Sequence, residues 1–264
     1  MTKKQHNEKT LRLALFFTII VGVCIVISLG IKAGLVFARS HFDGQHQFIM
    51  QIDQSSQKSD VLIFNPDSRG IAILALSGKD AGMSAQQTIQ LPIDATLHAQ
   101  IPETDDQGFV HSILTSWEKN DLNFFDKIKL LLFTQTVTND NITTIQIHLP
   151  ADNLNFDSTL TNVATDKILY KEGVTIAIVN GSNVAGLGNK IAKLLTHIGA
   201  NVISVTTADK TQNNSTLIYT GAQSYTLSRL THIFHLSPIL EKRINIAQIT
   251  LTIGTDQAKE FETL

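Results

Sequence analysis

The most pronounced feature of the hydropathy pattern is an uninterrupted apolar run near the start of the chain. From Leu13 to Ile31 no residue is charged, and the run meets the roughly 18 residues that a helix needs to cross the hydrocarbon core of a membrane. Four lysines and arginines precede the run, whereas two follow it within the next eight residues. Because cytoplasmic flanks carry the excess of positive charge, we predict one transmembrane helix with residues 1–12 in the cytoplasm and the chain from residue 40 onwards outside.

Two other interpretations of this run are a cleaved signal peptide and a helix buried in a soluble core. A cleaved signal peptide would place its processing site at Val36–Ala38, but the apolar region of a signal peptide is typically only about 7–15 residues long, and Lys32 interrupts the approach to that site. A helix buried in a soluble core would not need the asymmetry of flanking charge. The anchor therefore fits the pattern better than either, and Cys24 in the middle of it is expected to face lipid.

Between residues 41 and 150, short apolar runs alternate with segments rich in turn-forming residues, which predicts a middle α+β domain. The turn formers of Asn65–Gly70 predict a hairpin. The weakly patterned stretch that contains Pro92, Pro102 and the acidic residues 103–106 is expected to be loop. The spacing of Leu122, Phe125, Ile128, Leu131 and Leu132 predicts a helix with these five side chains on one face. The predicted elements are strands at 48–52, 61–64 and 71–76, helices at Phe109–Trp117 and Leu122–Phe133, and a strand at 143–149.

Residues 151–172 mix polar residues with isolated apolar ones and hold no sustained periodicity, so we expect a flexible linker here. The pattern then sharpens over residues 173–264. Val174–Val179 is a near-continuous apolar run, typical of a strand that is covered on both faces. The later elements are a helix from Leu187 to Ile198, strands at 202–205 and 217–219, a helix at 227–234 and a strand at 249–253.

The expected fold class is therefore α+β / α/β. It comprises one N-terminal transmembrane helix, a middle α+β domain, and a C-terminal βαββαβ sandwich in which two helices cover a four-stranded sheet.

The C-terminal region resembles the C-terminal domain of LytR-CpsA-Psr proteins over residues 173–256. The resemblance rests on the strand that runs into Asn180-Gly181, on Ala185-Gly186-Leu187 at the helix start, and on the Ile253-Gly254-Thr255-Asp256 ending. It implies an extracytoplasmic, non-catalytic module of the bacterial cell envelope.

Residues 59–80 carry a partial resemblance to the catalytic domain of the same family, which moves polymers from a polyprenyl-pyrophosphate carrier onto the cell wall. The resemblance consists of Ser59-Asp60, Asn65-Pro66-Asp67 and the segment Ser77 to Asp80. Pyrophosphate transfer needs several fixed cations, but no arginine occurs between Gly70 and Ser228, and Lys79 alone supplies one point charge. We therefore predict no catalytic residues.

Composition removes several other classes of protein and site. The formal net charge of -2 leaves no basic footprint for nucleic acid, and a single cysteine excludes an internal disulfide and a cysteine-ligated metal. His232 and His235 are three residues apart on a predicted helix, but no third ligand lies nearby in the sequence. The sequence therefore predicts no metal site and no cofactor.

The glycine-rich segment that follows the first strand of the C-terminal region matches neither a P-loop nor a dinucleotide fingerprint. Its glycines fit a structural role in a tight turn, while a helix N-terminus also offers free N–H groups to a ligand. If this region binds a ligand, the candidate residues are Asn180, Gly181, Ser182, Asn183 and Gly186.

Together these features predict a single-pass membrane protein whose C-terminal domain lies outside the cell. Its expected partners are the lipid bilayer, through the one helix, and peptidoglycan, a wall glycopolymer or an envelope protein. Two alternatives remain open: a scaffold subunit of a membrane-spanning assembly of the pilus or division type, and a divergent polyprenyl-pyrophosphate phosphotransferase.

Overall fold

The computed structural model describes residues 3–38, 40–55, 58–81, 83–98, 106–115, 121–149, 156–242 and 246–261. The α+β class is confirmed, with two mixed five-stranded sheets. The helices are α1 Lys3–Ala38, α2 Ala85–Thr88, α3 Asp106–Thr115, α4 Phe124–Thr134, α5 Phe156–Ala164, α6 Lys167–Glu172, α7 Leu187–His197, α8 Tyr225–Phe234 and α9 Thr255–Phe261. The strands are β1 Phe48–Ser55, β2 Lys58–Asn65, β3 Gly70–Gly78, β4 Ala95–His98, β5 Ile142–Leu149, β6 Thr175–Asn180, β7 Asn201–Thr207, β8 Thr216–Tyr219, β9 Pro238–Leu240 and β10 Ile249–Ile253.

Helix α1 is longer than the apolar run that predicted it. Its segment Leu15–Phe37 is long and apolar enough to cross a membrane, and all of these side chains are exposed. The helix therefore does not lie in the core of the folded part, which removes the interpretation as a buried soluble helix.

The first sheet has the strand order β4-β1-β2-β3-β5. The predicted hairpin is confirmed, because β2 and β3 pair antiparallel and Asn65 lies opposite Gly70. Alternate side chains of the central strands enter two separate hydrophobic clusters, so this sheet is buried on both faces: Leu62 and Phe64 pack in the cluster with α3 and α4, whereas Val61 and Ile63 pack in the other.

Two expectations for the middle region were wrong. The weakly patterned stretch after β3, predicted as loop, holds α2 and the edge strand β4, which has only four residues and pairs parallel with β1. Residues 99–105 of that stretch lie outside the described part. The five side chains predicted to lie on one face of α4 do not share one environment: Leu122 is buried, whereas Ile128 and Leu132 are exposed. The helix instead buries Leu130 and Asp126. Asp126 forms a local capping box with Asn123, but it also accepts hydrogen bonds from Ser40 and Phe42 in the chain that leaves α1, a tertiary placement that spacing alone does not reveal.

The second sheet has the strand order β7-β6-β10-β8-β9. The predicted βαββαβ order is present, but the sheet has five strands rather than four, because β9 pairs with the edge of β8, and α9 follows the last strand. Strand β6 is buried on one face only: Ile176 and Ile178 are buried, whereas Ala177 and Val179 are half-buried. The expectation that this strand is covered on both faces was therefore wrong.

The segment predicted as a flexible linker is helical in its described part. Helices α5 and α6 occupy most of residues 156–172, and they bury Leu160, Ala164 and Leu169 in the cluster that lines both sheets. The Asp166 side chain accepts the N–H groups of Ile168 and Leu169 and so caps α6. Residues 151–155 lie outside the described part, and the position of the domain boundary stays a prediction.

A buried ion pair joins the two sheets. Arg229 on α8 donates from both terminal nitrogens to the two carboxylate oxygens of Asp94, at 2.8 and 3.0 Å, and the two side chains are 2% and 10% exposed. Asp94 is itself held against β1, because it accepts the N–H of Ile49 on its side chain and donates its own N–H to the Ile49 carbonyl. The bidentate geometry fixes α8 against the start of the first sheet.

We predict that Asp94→Asn lowers the free energy of unfolding by about 3–5 kcal/mol, because it leaves the buried Arg229 guanidinium without a carboxylate. Urea unfolding of the full-length protein in detergent micelles measures this change. The control is Lys193→Gln, which breaks the exposed pair with Asp157 and is expected to cost less than about 1 kcal/mol. Equal effects of the two substitutions would contradict the role of the buried pair.

Candidate functional site

The loops that follow β6, β7 and β10 meet at one edge of the second sheet, because these three strands run parallel. Backbone hydrogen bonds hold the loops to one another: Gly181 donates to the Ile253 carbonyl, and its own carbonyl accepts from Gln212. Thr255 in turn donates to the Gln212 carbonyl. This carboxyl-edge loop cluster, formed by residues 180–186, 208–215 and 254–256, is where open α/β sheets usually bind ligands.

Two of the predicted binding residues turn their side chains inward. The Asn180 carboxamide oxygen accepts from the N–H and the hydroxyl of Ser182, and its amide nitrogen donates to the Val184 carbonyl at 2.8 Å. The Ser182 hydroxyl accepts the Val184 N–H. Both side chains are buried, so their hydrogen bonds shape the turn.

The other predicted residues of this turn differ in exposure. Asn183 and Gly186 are exposed, and both have a left-handed backbone, with φ of 66° and 77°. Gly181 is buried, and a Cβ there would lie 2.7 Å from the Gln212 side chain. The structure therefore brings all five predicted residues together but offers only Asn183 and Gly186 to solvent.

The Gly-x-Asp ending holds the neighbouring loop in place. A Cβ on Gly254 would lie 2.6 Å from the backbone of Asn214, so only glycine fits there. Asp256 accepts the N–H and the hydroxyl of Ser215, and the pKa of its carboxyl is lowered because these hydrogen bonds outweigh the effect of burial. These motif residues act on the conformation of the loop cluster.

A second polar region lies where α8 meets the first sheet, and the sequence reasoning missed it. The Tyr225 hydroxyl donates to Asp166 at 2.5 Å and accepts the Gln47 N–H at 3.1 Å. Burial and this bond to Asp166 raise the pKa of Tyr225. Glu172, at the end of α6, accepts the N–H of Tyr225 and so positions the start of α8.

Three potential metal ligands converge beside Tyr225. Asp43 and His46 come from the loop before β1, His232 comes from α8, and one ligand atom of each lies within 4.8 Å of the others. His46 stacks on Tyr225 with ring centroids 4.6 Å apart, and its centroid is 5.3 Å from that of His232. His235 is not among the converging residues: it follows α8 in the left-handed conformation.

The electrostatics of these three groups follow from their closeness. Burial acts to raise the pKa of Asp43, but hydrogen bonds from the side chain and backbone of His46 outweigh it and hold the pKa well below its usual range. Burial, and next the neighbouring His46, lower the pKa of His232. No local sequence motif predicts that these three residues come together, because His46 and His232 are far apart in the chain.

A polar cleft of about 220 Å³ also borders Tyr225 and is lined by the β2–β3 turn and by helices α5 and α6. Its lining includes Asn65, Asn141, Asn162 and Thr143, which offer amide and hydroxyl groups. The segment that resembles a catalytic domain places no cluster of cations here. Lys79 follows β3 as an exposed side chain, and Ser59 and Asp60 are buried within β2.

Comparison with protein families confirms the resemblance of the C-terminal region. Residues 173–256 match the family described as LytR cell envelope-related transcriptional attenuator, a match that covers about a third of the chain. No curated protein and no solved structure matches the chain.

Two glycine substitutions within the loop cluster compare the loss of stability at a closely packed glycine with that at an exposed glycine. We predict that Gly254→Ala destabilises the protein by more than Gly186→Ala, because the first Cβ meets backbone and the second meets open space. Gly186→Ala should cost only the left-handed strain of about 1–2 kcal/mol. Thermal unfolding followed by circular dichroism measures both. An equal loss from the two substitutions would contradict the close approach at Gly254.

Proposed function

We propose that the protein is a single-pass, membrane-anchored protein of the cell envelope whose C-terminal domain binds cell-wall material without catalysis. The observation that carries this proposal is the family match over residues 173–256 on a chain that begins with an exposed helix of membrane-spanning length. In this proposal α1 is retained as an anchor, its N-terminus lies in the cytoplasm, and both sheets lie outside.

The exposed part of the carboxyl-edge loop cluster supports binding of a polar polymer. Asn183, Lys210, Gln212 and Asn214 are all exposed there, and they offer amide and ammonium groups. Buried hydrogen bonds hold the turn beneath them in one conformation. A preformed surface of this kind loses little conformational entropy on binding.

The helices between the sheets set how far this surface reaches from the membrane. A flexible linker of about twenty residues would let the C-terminal domain sample a range of roughly 25 Å. Helices α5 and α6 instead pack into the cluster that both sheets share. We therefore propose that wall binding occurs at a fixed distance from the anchor.

The absence of catalysis is part of the proposal. Transfer of a polyprenyl-pyrophosphate substrate needs a cluster of cations to neutralise the developing charge. The chain has no arginine between Gly70 and Ser228, and Arg229 is buried against Asp94. Lys79 is exposed in a turn, which leaves it as a point charge and not as part of a pocket.

A scaffold function has one observation of its own in its favour. The edge strands of the second sheet expose large apolar side chains, Ile203 and Val205 on β7 and Ile239 and Leu240 on β9. Unprotected apolar edges of a sheet are templates for pairing with another chain. A dimer formed through either edge would suit a subunit of a membrane-spanning assembly.

We predict that full-length protein in nanodiscs is retained on purified peptidoglycan and that Asn183→Gly weakens retention about tenfold, or about 1.4 kcal/mol. Glycine keeps the left-handed backbone of this position while removing the amide. A sedimentation assay across a range of peptidoglycan concentrations gives the affinity.

The control is Asn139→Ala, an exposed asparagine of the middle region. Equal retention of the two variants would remove the loop cluster as the binding surface. Absence of retention together with concentration-dependent dimerisation would overturn wall binding and favour the scaffold.

A further inference from the structure

We propose that Asp43, His46 and His232 form a binding site for one divalent transition-metal ion, of the Zn²⁺, Co²⁺ or Ni²⁺ class. Two imidazoles and one carboxylate are the ligand set that such ions accept, with water in the remaining positions. The ligand atoms already lie within 4.8 Å of one another. The inference does not depend on the proposed function.

The loop before β1 is built to present Asp43 and His46 together. One oxygen of Asp43 accepts the N–H groups of Gln45 and His46, at 2.8 and 2.9 Å, which closes a tight turn. The other oxygen contacts the His46 ring. The backbone thus orients the carboxylate, and the second oxygen is directed at the imidazole.

Contacts with neighbouring side chains restrict the His46 ring. The ring contacts Asp43 and stacks on Tyr225, whose hydroxyl is fixed by Asp166, and the His46 side chain is only 12% exposed. His232 lies two helical turns after Tyr225 on α8, so the same helix positions the stacking ring and the third ligand. The His46 side chain therefore loses little rotamer freedom when a metal binds, whereas His232 is exposed.

The charges around the three residues allow a cation. Asp43 is a ligand, and Asp94 lies close enough to interact electrostatically with His232. Arg229 also faces His232, but its guanidinium is neutralised by the bidentate pair with Asp94. A divalent ion bound at this site would therefore not be repelled by an unpaired guanidinium, because Asp94 already neutralises Arg229.

Such an ion would cross-link two distant parts of the chain. The loop with Asp43 and His46 follows directly from α1, whereas His232 belongs to the region that matches the envelope family. Binding would stabilise the contact between the first sheet and α8, in addition to the Asp94–Arg229 pair. The metal would thus act as a structural clamp near the anchor.

We predict that full-length protein in detergent, stripped with EDTA, binds one Co²⁺ per chain with a visible absorption band and binds Zn²⁺ in calorimetric titration. His46→Ala and His232→Ala should each weaken Co²⁺ binding at least about tenfold. Asp43→Asn should also weaken it, although the amide oxygen still accepts the N–H groups of the turn. Zn²⁺ should raise the melting temperature of the unsubstituted protein and not of the His232→Ala variant.

The matched control is His235→Asn, three residues further along and outside the converging group; asparagine tolerates the left-handed backbone there. This variant should bind Co²⁺ like the unsubstituted protein. Failure of the unsubstituted protein to bind either ion, or unchanged affinity after removal of His46 or His232, would overturn the site. Circular dichroism in EDTA checks that each variant is folded, so loss of binding is separated from loss of structure.

A different observation carries a second inference, which rests on α1 being a membrane anchor. We infer that helix α4 lies in the interfacial region of the same membrane. Phe124, Ile128 and Leu132 follow one another at intervals of four and form an apolar stripe that is 60%, 36% and 58% exposed. Amphipathic helices that lie in the membrane interface bury such a stripe at the boundary between headgroups and acyl chains.

The end of α1 lies against α4, which identifies lipid as the occupant of this stripe. Phe37 meets Phe125 edge to face at 5.5 Å, and the Lys129 ammonium lies 4.1 Å from the centre of the Phe37 ring. The Asn123 side chain donates to the Val36 carbonyl. Because α4 is joined to the last turns of the spanning segment, its exposed stripe begins where α1 leaves the bilayer.

Asp126 strengthens this connection between the anchor and α4. It is buried, and one of its oxygens accepts from the Ser40 hydroxyl and from the Phe42 N–H at 3.0 Å. The pKa of His41 is raised, chiefly by its hydrogen bond to Asp126. The chain that leaves α1 is thus held on α4 over three consecutive residues, 40–42.

We predict that a bimane label on Leu132→Cys, in a Cys24→Ser background, is quenched by brominated lipids in nanodiscs. The control label on Tyr170→Cys, which is 68% exposed on α6, should keep its fluorescence. A carbonate wash of membranes tests the anchor separately.

Retention after the wash with no quenching at residue 132 would overturn the docking of α4 and leave the anchor intact. Extraction by the wash would overturn both. Quenching of both labels to the same extent would show non-specific contact with lipid and would also overturn the docking.

Discussion

The two sheets share one apolar cluster, and a buried ion pair, Asp94 with Arg229, fixes the position of α8 within their contact. A guanidinium and a carboxylate removed from water are stable only when each satisfies the other and the remaining lone pairs find donors. Here Asp94 also accepts a backbone N–H from β1, and Arg229 lies on a helix whose first turn is bound by Glu172. A relative movement of the two sheets would expose these charges to water or leave them without a partner. The pair therefore restricts the position of one sheet relative to the other.

That restriction explains why other polar groups gather around α8. Tyr225 and His232 lie on the same helix as Arg229, and the fixed position of α8 brings them to the loop that follows α1. The Tyr225 hydroxyl then bridges Asp166 and Gln47, while His232 meets Asp43 and His46. The position of α8, which the ion pair, Glu172 and the shared apolar cluster fix together, thus sets the geometry of a hydrogen-bonded network and of a candidate metal site.

The residues that carry the family resemblance have two physical roles. Asn180, Ser182, Gly254 and Asp256 hold loops in place through buried hydrogen bonds or close backbone contact. Asn183 is presented to solvent by that same framework. Family landmarks therefore identify the fold of the loop cluster, while recognition of a ligand falls to side chains that the landmarks support.

The sequence by itself determined the apolar helix near the N-terminus, the β2–β3 hairpin and, except for β9, the order of strands and helices from β6 to β10. Each of these is recorded in periodicity or turn residues within a short window. Short strands such as β4 and β9 were not predicted, because they have too few residues to form a pattern and are stabilised by pairing with a neighbouring strand.

Only the tertiary structure decided which distant residues meet. Asp94 and Arg229 are 135 positions apart, and His46 reaches His232 across an even longer separation. It also decided that α4 buries Asp126 and exposes Ile128, since the hydrogen bonds of Asp126 with the chain leaving α1 outweigh apolar spacing. Local periodicity indicates which face of an element is apolar. Which distant residues come into contact with that element is determined only when the whole chain folds around a shared core.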